Sequence, residues 1–226
     1  AEAEPYFARL RKMDPGHRGM LGLYRAYYAE GEDPQQIVKI RTDAQRGASG
    51  DDQRLGLAIE LAEAATLAGQ DERAIDAWKT VLRHDPKNAQ APRELRGLYE
   101  RSEKWNALVE VLKAEVDAVP EDEPARKVAL LRELLPVYRD RLGLDVMVIN
   151  TYNAILQLDP SDHEAIGALA KTYEATGLWN DLNGVLTKQA DAASDPVEKV
   201  ELYLRVADLW IERFANYNQA TQPLEQ

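Results

Sequence analysis

An all-α stack of antiparallel helix pairs, with about thirteen helices, is the fold this 226-residue sequence predicts. Three observations predict it. The segment Tyr99 to Leu108 (YERSEKWNAL) returns as Tyr173 to Leu182 (YEATGLWNDL), 74 residues later. Three of the Asp-Pro pairs, at 14–15, 85–86 and 159–160, stand 71 and 74 residues apart, so the repeating module is 71 to 74 residues long. Between such breakers the apolar residues recur at i, i+3, i+4 and i+7, as in Ile166, Leu169, Ala170 and Tyr173 or Leu131, Leu134, Leu135 and Tyr138. That is the period of one helix face, and no convincing period-2 strand pattern competes with it.

Each element follows from its breakers. A leading helix is expected over 2–13, closed by Asp14-Pro15, with Phe7 eight residues before the proline. The first pair, 18–45, closes at Gly47-Ala48-Ser49-Gly50. The second, 52–84, closes at Asp85-Pro86, again with an aromatic, Trp78, eight residues before the proline. The third, 89–117, closes at Val119-Pro120-Glu121-Asp122. The fourth, 123–158, repeats the spacing with Tyr152 before Asp159-Pro160, and the fifth, 163–192, closes at Ala193-Ser194-Asp195-Pro196. The sixth is expected over 197–226. Proline has no amide donor and clashes with the preceding turn, so helices stop at these points. The fourth and sixth pairs have a longer first helix, with Leu142-Gly143 and Phe214-Ala215 ahead of the second.

These hairpins resemble tetratricopeptide repeats (TPR). The family's spacing of a large residue, a Leu-Ala pair, an aromatic, a glycine and further aromatics is met by Ile166, Leu169, Ala170, Tyr173, Gly177, Trp179 and Leu182. Ala58, Leu61, Ala62, Gly69, Ala74, Trp78, Val81 and Pro86 follow it too. The resemblance covers essentially the whole chain as one array, 1–226, and is similar to the double modules of very long bacterial repeat proteins, close to the half-a-TPR type. It implies a right-handed superhelical solenoid. Small residues such as Ala62, Ala74, Ala170 and Gly177 are expected to let helices approach, and Trp78, Trp105, Tyr152 and Trp179 to fill the gaps between hairpins. Trp210, aligned with Tyr138, is expected in the core as well. Each hairpin leans on the next. The first helix lacks a partner before it and the last pair lacks its closing turn, so the sequence is expected to be a window on a longer array.

Composition narrows the function. With 28 basic against 39 acidic side chains the net charge is −11. Phosphate neutralisation needs a positive surface, and no basic run supplies one, so neither nucleic acid nor an anionic membrane is an expected partner. No stretch approaches the ~20 apolar residues of a membrane-spanning helix. There is no cysteine, which removes disulfides, zinc-thiolate sites and thiol catalysis; it fits a reducing cytoplasm and is compatible with the periplasm. His17, His84 and His163 do not stand at metal-ligand spacing. No nucleophile-elbow or phosphate-loop pattern occurs. The Glu121-Asp122-Glu123 cluster reads as a solvated turn rather than an acid–base pair. Neither metal nor cofactor is expected.

The remaining candidate is the face of the first helices, which the TPR resemblance makes the inner groove. Its outward positions are expected to include Arg93, Arg96, Glu100, Arg101, Lys171 and Glu174. Such a face can grip a peptide through hydrogen bonds and ion pairs. The family's carboxylate clamp is not reproduced, since Arg93 stands with Gly97 and Gly167 with Lys171. The expected function is a non-catalytic scaffold or adaptor for a protein or peptide partner. The alternatives are a self-assembling array, joined through apolar end residues such as Phe7 and Leu224, and a docking module of a larger enzyme.

Overall fold

The computed structural model describes residues 4–30, 34–48 and 50–225. Residues 2 and 3 of the expected leading helix, Gly31, Glu32 and Asp33 of the first pair, Ser49 of its closing breaker and Gln226 lie outside them. Among the described residues there are thirteen α-helices and no strand. The chain divides into two compact units, Ala1–Val111 and Leu112–Gln226.

In the first unit, α1 (Glu4–Met13) precedes the hairpins α2 (Arg18–Glu30) with α3 (Pro34–Arg46) and α4 (Asp51–Leu67) with α5 (Asp71–His84). It ends with α6 (Gln90–Arg101) and the first part of α7 (Trp105–Ala118). The second unit starts within α7 and carries α8 (Pro124–Pro136), α9 (Asp145–Leu158), α10 (His163–Thr176), α11 (Trp179–Ala192), α12 (Pro196–Glu212) and the short α13 (Tyr217–Thr221). The helices of the six expected pairs are present among the described residues. The outer ends of the first five lie within a residue of those read from the breakers, whereas the sixth, expected to run to 226, has its second helix end at Thr221, followed by a 3-10 turn, Gln222–Glu225.

Every first helix from α4 onward leaves its last turn in the same way. A residue in the left-handed region follows, and the next amide reaches back over the turn. Gly69, Glu103, Gly143, Gly177 and Ala215 take φ of 66°, 53°, 63°, 71° and 49°. The amides of Gln70, Lys104 and Leu178 donate to the carbonyls of Ala65, Tyr99 and Tyr173 at 2.9, 2.8 and 2.9 Å. These bonds satisfy carbonyls that the helix end would otherwise orphan. Gly177 was expected to ease helix approach; an added Cβ there would meet only the Trp179 ring, at an ordinary 3.8 Å. Its requirement is its backbone conformation.

The longer first helix of the fourth pair is explained by Pro136. Proline offers no amide to the preceding turn, and the chain continues as a π-helical turn, Val137–Leu142. Such turns are commonly single insertions within an α-helix. The closing bond widens accordingly, from Leu144 N–H to Tyr138 C=O at 2.9 Å, and in the sixth pair from Asn216 to Trp210 at 2.9 Å.

The cores are built from the expected stripes: Leu57, Ala58, Leu61, Ala62 and Ala65 of α4; Ala74, Ile75, Trp78 and Val81 of α5; Ile166, Leu169, Ala170 and Tyr173 of α10. Of the four tryptophans, Trp78 alone is fully buried, at 1 % exposure. Trp105, Trp179 and Trp210 are half-buried, and the Arg213 guanidinium lies 4.3 Å from the Trp179 ring centroid. Those positions start a helix or close one, so one ring face stays at the boundary. The first unit also buries a charge: Arg41, at 3 % exposure, stands in α3, which begins 71 residues before α7. The corresponding residue of α7 is Leu112, buried at 2 %. Arg41 is retained by Glu60, 2.7 Å away, and by the Leu21 carbonyl at 3.3 Å.

Candidate functional site

In α6 the buried face is Ala91, Leu95, Leu98 and Tyr99. The Asn88 side-chain oxygen accepts from the amides of Gln90 and Ala91 at 3.1 and 3.0 Å, which satisfies the first turn. On the other side Arg93, Glu100 and Arg101 are exposed. Arg93 approaches its neighbour Glu94, at 3.4 Å. Arg101 is committed further: its guanidinium donates to Asp71 at the start of α5, at 2.8 Å. That bond raises the Arg101 pKa above its ordinary value against the opposing effect of burial. Lys104 likewise reaches Glu72, at 2.5 Å. Both cations therefore pair with carboxylates in the first turn of α5, where negative charge also suits the helix dipole.

Arg96 departs from the outward placement expected of it. It is half-buried. Its place in the helix, one after the buried Leu95, is that of Ala62 after Leu61 and of Ala170 after Leu169. Both alanines are buried, at 0 % and 5 %. A long polar side chain at a small-residue position ends at the edge of the packed face, not at its outer ridge.

In the second unit α10 buries Ala165, Ile166, Leu169, Ala170 and Tyr173 and exposes Lys171 and Glu174. Glu174 accepts from Arg205 of α12 at 2.8 Å. At the other end of α10, the Asp162 carboxylate caps the helix by accepting from the Ala165 amide at 2.9 Å. Its second oxygen accepts from Arg132 of α8 at 2.6 Å, and the same guanidinium holds Glu164. Burial works against ionisation of Asp162, but the Ala165 amide and Arg132 outweigh it and hold the carboxyl below the usual carboxylate range. Arg132 and Arg205 thus tie α10 to the first helices on either side. The sequence carried a signal for this: opposite charges 30 to 32 residues apart, one hairpin length, recur as Arg101–Asp71, Lys104–Glu72, Arg132–Asp162, Arg132–Glu164 and Arg205–Glu174.

The candidate residues therefore form two groups, one on α6 in the first unit and one on α10 in the second. Of the histidines, His84 lies 3.9 Å from Asp51. Among the described residues no three His, Cys, Asp or Glu side chains are grouped closely enough to hold a metal. None of the described helices is long and apolar enough to cross a membrane.

Sequence reasoning missed the cavities. In the first unit one of about 350 Å³ is lined by Arg18, Arg41, Asp52 and Glu60 beside Gly22 and Gly56. In the second unit a cavity of about 690 Å³ lies among α11, α12 and the end of the chain, and one of about 430 Å³ among α9, α10 and α11. Lys188 lines both of the latter.

No protein-family model matches the chain, and no curated protein sequence matches it. Solved structures are similar to it. A chain of the Naa15/Naa10 complex bound to HypK-THB superposes with a TM-score of 0.53 and 18 % identity, over 91 % of this chain and 30 % of that one. A tetratricopeptide repeat protein from Parabacteroides merdae gives 0.44 and 15 %, over 91 % and 76 % of the two chains. YrrB, described as a TPR protein with an unusual peptide-binding site, gives 0.41 and 12 %, over 86 % and 96 %. At these identities the likeness concerns the fold, which rests on the repeated hairpin geometry of the chain itself and on the first of the three.

Proposed function

We propose that this chain of tetratricopeptide-type helical hairpins is a non-catalytic scaffold that holds a protein or peptide partner on the faces of its first helices. The observation that carries the reading is the division of labour on α6 and α10. One face of each helix is spent on the core. The other presents Arg93, Glu100, Lys171 and Glu174 to solvent, with Arg96 at the edge of the packed face. Exposed guanidinium, ammonium and carboxylate groups on rigid helices suit the charged and hydrogen-bonding groups of a peptide. Arg101 and Glu174 take part through groups already paired at 53 % and 53 % side-chain exposure. Pairs this exposed contribute little to stability and exchange readily for a partner's charges. The overall charge of −11 favours encounter with basic partners.

The test is affinity capture from the source cell, with the intact chain as bait and the triple variant Arg93→Glu, Arg96→Glu, Lys171→Glu as control. A partner captured by the intact chain and lost in the variant, at unchanged helicity, is the expected result. Retention of the partner by the variant removes these residues from the site.

One observation favours a second reading, self-association. On α12, Val197, Val200, Leu204 and Ile211 are 65, 57, 49 and 39 % exposed, and their spacing of 3, 4 and 7 places them along one side of the helix. Sedimentation over a wide concentration range, with Leu204→Glu as the control, decides it. A mass that rises with concentration and stays monomeric in the control supports assembly, and a constant monomer mass refutes it.

A further inference from the structure

We propose that the second helices of the second unit carry a separate site that grips the main chain of an extended, uncharged peptide segment through a row of side-chain amides. This deepens the protein-binding reading but draws its amides from the second helices and the last turn rather than from the charged faces of α6 and α10.

The two cavities flanking α11, of about 690 and 430 Å³, share Lys188 as a common wall. Their linings include six carboxamides. Asn153 and Gln157 come from α9, Asn180 and Asn183 from α11, Gln219 from α13 and Gln222 from the last turn of the chain. A carboxamide offers one acceptor and two N–H donors. A peptide unit offers the complementary pair, a carbonyl and an amide. A row of carboxamides therefore meets a main chain whatever its sequence. The rest of the larger cavity suits the side chains between those units: Tyr203, Val206 and Trp210 supply apolar surface. The Tyr203 hydroxyl donates to Asp191 at 2.6 Å, which fixes the ring in that wall.

Asn183 singles this place out from an ordinary polar surface. It is 5 % exposed, and among the described residues neither its amide nitrogen nor its amide oxygen has a hydrogen-bond partner. Buried side-chain amides are normally paired. The repeat itself shows that the position asks for an apolar residue, because Val109 stands 74 residues earlier, at the same place after Leu108 as Asn183 after Leu182, and is buried at 5 %. A polar group kept against the local rule, unpaired among the described residues and in the wall of a cavity of about 690 Å³, is the pattern of a site held ready for a ligand. The amide is shielded in the free chain, so engagement includes a turn of the Asn183 side chain toward the cavity.

The test titrates the neutral blocked peptide acetyl-Ser-Leu-Ser-Leu-Ser-amide into isotopically labelled protein and follows the side-chain NH2 signals by two-dimensional NMR. Saturable shifts confined to Asn180, Asn183, Gln219 and their cavity neighbours are expected. Asn183→Val, which installs the residue of the sister repeat, should weaken binding at least fivefold while leaving the fold as stable or more so. The triple charge-reversal variant should bind the same peptide unchanged, so failure of the charged face and failure of the amide row read out separately. Absence of saturable shifts, or equal binding by Asn183→Val, overturns the proposal.

Discussion

Glu103 stands where its sister repeats have glycine, and this has a measurable cost. The turn after α6 puts Glu103 at φ 53°, while Gly69 and Gly177, in the same place after α4 and α10, take 66° and 71°. A residue with a Cβ in the left-handed region pays roughly 1–2 kcal/mol against its preferred conformation. Glycine avoids that cost but frees the unfolded chain, which returns about 0.4–1 kcal/mol of it. Glu103→Gly should therefore stabilise the first unit by about 0.5–1 kcal/mol. With a urea slope of about 2 kcal/mol per molar for a small unit, the midpoint rises by roughly 0.3–0.5 M. Far-ultraviolet circular dichroism against urea is the assay. Two controls frame it. Glu103→Ala keeps the backbone cost and should leave the midpoint nearly unchanged, which isolates any effect of the exposed carboxylate. Gly177→Ala imposes the cost on the second unit and should lower its midpoint. If Glu103→Gly lowers the midpoint, or Gly177→Ala leaves it alone, the argument from backbone conformation is refuted.

Two further outcomes follow from the ion pairs. The folded pKa of Asp162 lies below that of the unfolded chain, so its contribution is present above the unfolded carboxyl value of about 3.9 and is lost as pH falls through the folded one. The acid limb of the second unit's stability curve should flatten in Asp162→Asn, which keeps a capping oxygen, and Asp162→Ala should cost about 1 kcal/mol more through loss of the cap. In the first unit, Glu60→Ala leaves the buried Arg41 without its carboxylate and should cost about 3 kcal/mol, whereas Arg41→Leu, which installs the residue found at Leu112, should be near neutral. Urea denaturation of the two variants compares them directly, and a larger loss in Arg41→Leu than in Glu60→Ala contradicts the reasoning.

The hairpin frame was legible in the sequence because each of its boundaries has a local chemical cause. Proline, the Asp-Pro turn and the apolar period act within one helix, so the outer ends of the first five helix pairs and the start of the sixth could be read without knowing what packs on what. Arg96, Trp105 and Trp179 were less legible because their burial depends on neighbouring helices: the first fills a small-residue position from outside, and the others sit at helix starts where only one ring face is covered. The cross-hairpin pairs made by Arg101, Arg132 and Arg205 were visible only as a spacing of opposite charges that local rules do not weigh. The unpaired amide of Asn183 was hidden for a different reason. Asparagine on a helix reads as solvated, and only comparison with Val109 one module earlier shows that its position is an interior one.

The π-helical turn at Val137–Leu142 bears on how such a chain tolerates a change in length. The buried run Leu61, Ala62, Ala64 and Ala65 corresponds to Leu134, Leu135, Val137 and Tyr138, a shift of 73, whereas the left-handed glycines that follow, Gly69 and Gly143, are 74 apart. The fourth hairpin thus has one residue more between its core and its exit. In a regular helix one added residue turns everything after it by about 100° and would swing α9 off its neighbour. The wider turn takes up the extra residue where it occurs, so that both flanks keep their phase. The bulge is thus a device by which a hairpin one residue longer keeps both of its helices in phase with their neighbours.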